Sequence, residues 1–98
     1  VRHSAIVVEG SFDAMKIGPG AVALLGTGYS QAQVARIGAI PTRAICFDAE
    51  PEAQARARKL CQELEGQPGK TFLVELDAAD PGEASKREIK ELRKRFLE

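Results

Sequence analysis

Apolar residues in this chain fall in short unbroken runs that alternate with longer stretches of helical spacing. Residues 5–8 form a β-branched run closed by Glu9-Gly10, and residues 12–17 read as a short helix before Gly18-Pro19-Gly20 breaks it. Residues 21–25 are a second run, closed by Gly26-Thr27-Gly28, after which Ser30 caps a segment carrying Val34 and Ile37 on one face. A third strand, over 43–47, ends in Asp48. Pro51 fits the first turn of the next helix, where Ala53, Ala57, Leu60, Cys61 and Leu64 keep helical spacing until Gly66 and Pro68-Gly69 stop it. The fourth strand spans 71–76, and the loop 77–83 leads to a last helix with Ile89, Leu92 and Phe96 on its apolar side.

Parallel strands need crossover connections, so this alternation predicts an α/β fold: three layers, a four-stranded parallel sheet with helices on both faces. Ninety-eight residues leave room for one domain, 1–98. Hydrophobic residues at 44% and charged residues at 29% are ordinary for a globular chain, and no apolar run approaches the roughly 20 residues of a membrane span. Fourteen basic residues balance fourteen acidic ones, so any contact with nucleic acid must be local. His3, Cys46 and Cys61 cannot supply the four ligands of a structural zinc site. Both cysteines are expected as buried, reduced thiols of a cytoplasmic protein. A chain that opens on Val1 without a leader reads as a segment of a larger protein.

In an open parallel sheet, ligands bind outside the carboxyl ends of the strands. Here those ends are acidic. The first strand ends at Glu9, the third at Asp48 with Glu50 two residues on, and the fourth runs into Asp77 and Asp80. Asp13, about one helical turn after Glu9, can face the same edge. Two unit charges about 4 Å apart repel by roughly 4 kcal/mol at an effective dielectric near 20. No lysine or arginine lies within two residues of Glu9, Asp48 or Glu50 to offset this, and a helix N-terminus offsets only about 0.3–1 kcal/mol. A divalent cation is the economical remedy. Oxygen donors favour Mg²⁺ or Mn²⁺ over zinc, with substrate phosphate and water completing the shell, which points to phosphoryl transfer. Helix capping is the competing account. It serves equally for Asp13, better for Asp77, and poorly for Glu9 with Asp48-Ala49-Glu50, which follow central strands.

The string Ile6-Val7-Val8-Glu9-Gly10-Ser11-Phe12-Asp13-Ala14, then Ala23-Leu24-Leu25-Gly26-Thr27-Gly28, Cys46-Phe47-Asp48-Ala49-Glu50 and Asp80-Pro81-Gly82-Glu83, resembles the Toprim domain, and most closely its bacterial and phage DNA primase type. The resemblance implies the Toprim three-layer fold and Mg²⁺-dependent nucleotidyl transfer. It implies a general acid or base at Glu9, metal binding at Asp48, Glu50 and Asp80, and a further site acid at Asp13. Glu9 could also contact a second metal. DNA or RNA template, nucleoside triphosphates and a zinc-binding or helicase module of the parent protein are the partners it implies. Two residues depart from the pattern: Glu50 stands where the family has aspartate, and Pro51-Glu52-Ala53 follows where many primases have a small residue and glycine.

A Toprim nuclease, which would use the same metals to activate water, and a non-catalytic module that docks a partner are the alternative functions. Gly26-Thr27-Gly28 lacks the third glycine of a dinucleotide fingerprint, Gln31 standing in its place. Gly26 and Gly10 are read instead as points where the backbone comes close to the acidic site. Lys16 is the expected phosphate contact, whereas the basic residues of the last helix and Arg56, Arg58 and Lys59 read as solvated faces. Tyr29 reads as loop packing, and the aromatics do not interleave with basic residues as a base-stacking platform would.

Overall fold

The computed structural model describes residues 3–24, 30–76, 78 and 81–98. Strands β1 (Ser4–Val8), β2 (Ala21–Ala23), β3 (Thr42–Ile45) and β4 (Lys70–Leu73) alternate with helices α1 (Ser11–Ile17), α2 (Gln31–Gly38), α3 (Pro51–Leu64) and α4 (Lys86–Phe96). A single 3₁₀ turn, Pro81–Glu83, precedes α4. All pairings are parallel, in the order β2-β1-β3-β4. The expected α/β architecture is therefore present.

Strand pleating divides the core into two halves. Ile6, Val8, Ala44 and Cys46 face one side, packing with Ile17 of α1 and Ile89, Leu92 and Phe96 of α4. Val7, Ile45 and Phe47 face the other, against Val34 and Ile37 of α2 and Ala53, Ala57, Leu60 and Leu64 of α3. Period-two alternation in the strands thus meets the 3.6-residue stripes of the helices on both faces. Local signals agree. Ser30 forms a full capping box with Gln33, and Pro51 opens α3.

β2, β3 and β4 end before their apolar runs do. β3 stops at Ile45 although Cys46 and Phe47 are buried, because β4 ends at Leu73 and leaves them without a ladder on that side. β4 is an edge strand, and Phe72 and Leu73 are exposed on it. The second cysteine also departs from expectation: Cys46 is fully buried, but Cys61 lies at the margin of the α2/α3 half of the core, partly open to solvent.

At the amino end of the sheet, Arg43 is 1% exposed. Its guanidinium donates to Thr71 Oγ1 at 2.9 Å and to the carbonyls of Gly38 (2.9 Å), Ile40 (2.9 Å) and Pro68 (2.8 Å). The Gly38 and Ile40 carbonyls end α2, where a cation suits the negative pole of the helix. Burial pulls the Arg43 pKa below its ordinary value. Gly69 completes this closed end: at φ +97° any side chain would collide with the Pro41 carbonyl.

Candidate active site

The strand order fixes where a site belongs. From β1 the chain moves outward to β2, and from β3 it moves the opposite way to β4, so the connections diverge between β1 and β3. Their carboxyl ends flank the topological switch point, the crevice in which open α/β sheets bind ligands. Glu9 follows the last residue of β1, and Asp48 lies three residues beyond β3. Both side chains are partly buried.

Each acid at this rim is held in its own way. Gln54, in α3, donates to the Asp48 carbonyl at 2.7 Å and so ties the β3–α3 loop to the helix it precedes. Asp48 Oδ1 is sealed from solvent. Glu50 occupies the N-cap of α3 without a capping hydrogen bond from its side chain, and it points to solvent together with Glu52 of the first turn. Asp13 Oδ1 accepts the Gly82 backbone N–H at 2.9 Å. That bond joins the first-helix motif to the Pro81–Glu83 turn, elements 69 residues apart in sequence. Gly10 is the N-cap of α1, its backbone extended, with Asp13 Oδ2 about where a side chain on Gly10 would make ordinary contact. Gly26 and Asp80, with Asp77 and Tyr29, lie outside the described residues.

Two neighbouring groups register the negative charge of the rim. Beneath the rim, burial pushes the Cys46 thiol up to about 12, and the nearby negative charges of Asp13, Glu88 and Asp48 add to the shift. Above it, Arg56 of α3 donates through Nε to Glu9 Oε2 at 2.7 Å. This hydrogen bond, with the charges of Glu9, Glu52 and Asp48, raises the Arg56 pKa. Arg56 is therefore more than a solvated face residue: though partly exposed, it reaches the rim. It answers part of the repulsion for which sequence neighbours offered no relief, from 47 positions away.

Oxygen donors dominate the rim, for Cys46 is held as a neutral thiol and His3 stands at the start of β1, at the sheet's opposite end. Such a donor set suits a hard divalent cation. Among the described residues, no three His, Cys, Asp or Glu side chains form a metal cage. Mg²⁺ does not need one, since one or two carboxylates with water and phosphate suffice. Arg56 on Glu9 is the feature that competes with it. Lys16 is not gathered with the acids: it lies in the last turn of α1, in a groove shared with α4. A cleft of about 170 Å³ adjoins the β3–α3 loop, lined by Phe47, Ala49, Gln54, Glu75, Leu76 and Ala78.

No family model and no curated protein sequence matches the chain. Among solved structures, it is similar to the Aquifex aeolicus primase comprising zinc-binding and RNA polymerase domains, with a TM-score of 0.77 and 27% identity. The match covers 92% of this chain and 24% of that one, so the chain spans about a quarter of the primase structure's length. A further Aquifex aeolicus protein shares the fold at a TM-score of 0.57 and 17% identity, covering 95% of this chain and 77% of that one. The fold is primase-related.

Proposed function

We propose that this domain carries out Mg²⁺-dependent nucleotidyl transfer on nucleic acid, as the Toprim module of a primase-like protein. The observation that carries the reading is the placement of Glu9 and Asp48 on either side of the β1/β3 switch point, in a chain similar to a quarter of a primase structure.

Asp48 and Glu50, with Glu9 at the far side, would hold the cation; Asp80, implied by the resemblance, lies outside the described residues. Mg²⁺ (or Mn²⁺) held there would supply charge neutralisation at a transferring phosphate. The chain's own residues do the rest. Gln54 fixes the loop that presents Asp48, and Asp13 fixes the turn that follows the fourth strand. Arg56 orients the Glu9 carboxylate through Oε2, leaving Glu9 to accept or return a proton at the attacking hydroxyl. Template, nucleoside triphosphates and the grip of neighbouring domains are the partners this reading requires.

Titration with Mn²⁺, followed by paramagnetic broadening of amide signals, tests it. Signals around Glu9, Asp48 and Glu50 should broaden first, and Asp48→Asn should remove the effect. If they stay sharp at millimolar metal, the reading fails.

A further inference from the structure

Helix α4 carries six basic residues, and the fold divides them between two environments. Arg87 pairs with Glu91 at 3.3 Å on an open face. Lys86, Lys90 and Arg93, spaced four and three apart on one stripe, instead line a groove of about 370 Å³ between α4 and α1, together with Ile89, Lys16 and the carboxylate of Glu98. Arg93 is committed to this junction: it donates to the Ile17 and Pro19 carbonyls at 3.0 and 2.6 Å and lies 3.8 Å from Glu98. Among the described residues, Lys16, Lys86 and Lys90 have no ion-pair partner.

Helix α1, which contributes Lys16, also carries the two most exposed large apolar side chains among the described residues. Phe12 is 83% exposed and Met15 is 75% exposed. Phe12 and Lys16 are one turn apart on α1, on the same face. Phe12 also sits in the first turn, immediately after the Glu9 rim. An open aromatic ring one turn from Lys16, at the end of a groove that also holds Lys86 and Lys90, matches the chemistry of an unpaired strand of nucleic acid, whose bases stack on aromatic faces while its phosphates meet lysines. From Lys86 to Arg93 the groove follows α4 for about 10 Å, the length of roughly three stacked nucleotides.

We infer that the α1/α4 groove is a track for single-stranded nucleic acid, with Phe12 as its stacking platform and Lys16, Lys86 and Lys90 as its phosphate contacts. The choice of ligand rests on the nucleic-acid reading above. The binding does not use the carboxylates or the metal.

Fluorescence anisotropy of a labelled oligothymidylate of about 12 nucleotides, with the 98-residue chain in EDTA, measures it between about 25 and 200 mM salt. Two or three lysine contacts predict a log–log salt slope of about −1.4 to −2.1, and Lys90→Ala should flatten it by about 0.7. Phe12→Ala should weaken binding about 5-fold to 150-fold with the slope unchanged. Binding that persists in Glu9→Gln/Asp48→Asn keeps the track even if the catalytic reading fails. No binding at the lowest salt, indifference to both single variants, or equal affinity for duplex of the same length overturns it.

Discussion

Two arginines sit at opposite ends of this sheet and behave as opposites. Arg43 is sealed at the amino end, with four hydrogen bonds to a hydroxyl and three carbonyls. Arg56 stands at the carboxyl end, its side chain 41% exposed and bonded to one carboxylate oxygen that a cation could also take. The first cannot leave without stripping donors from the buried Gly38 carbonyl and from the part-buried Ile40 and Pro68 carbonyls, whereas the second can swing into water. One end of the fold holds its charge as structure; the other keeps its charge exchangeable, as a site for chemistry requires.

Breaking the contrast at the closed end should have the largest effect. Arg43→Met should cost on the order of 3 kcal/mol in urea unfolding, because the buried Gly38 carbonyl and two part-buried carbonyls lose their donor. Arg56→Gln should leave the midpoint unmoved; equal losses would abolish the distinction. Next comes pH. The Cys46 thiol titrates near 9 when unfolded but about 12 when folded, so the unfolded chain releases its proton first as pH rises. Stability from this group is complete below pH 9 and falls by about 1.4 kcal/mol per pH unit above it. Between about pH 9 and 11, Cys46→Ala should lack that extra slope, and its persistence would place the titration elsewhere. At the open end, Arg56→Gln should tighten Mn²⁺ binding on the order of tenfold in relaxation titrations, by removing a competing cation; weaker binding would make the arginine a support for the metal instead. Smallest is Asp13→Ala, which should speed hydrogen exchange at the Gly82 amide and cost about 1 kcal/mol.

The scaffold was legible because its signals are local. Ser30, Pro51 and the runs around Ile6, Ala44 and Leu60 each announce their element within a few residues, and the order of acids after the strands indicated the rim. What escaped depends on distance. Glu9 and Arg56 meet across 47 positions, so counting charges beside Glu9 could not find its partner. Arg43 reads as a strand residue, yet nothing near it in sequence announces that loops ending α2 and preceding β4 would wrap it. Phe12 looked like one more apolar residue in a helix, since its exposure follows from which face of α1 meets the sheet. Lys16 follows Glu9 by only seven positions, yet the structure sets it in the groove with α4.

The acids of the rim come after the strands instead of within them, and that separation shapes how this molecule can change over generations. Glu9, Asp48 and Glu50 lie outside both halves of the apolar interior, so selection on folding and selection on chemistry act on different residues. A lineage could exchange, retune or retire the carboxylates and still inherit the same architecture.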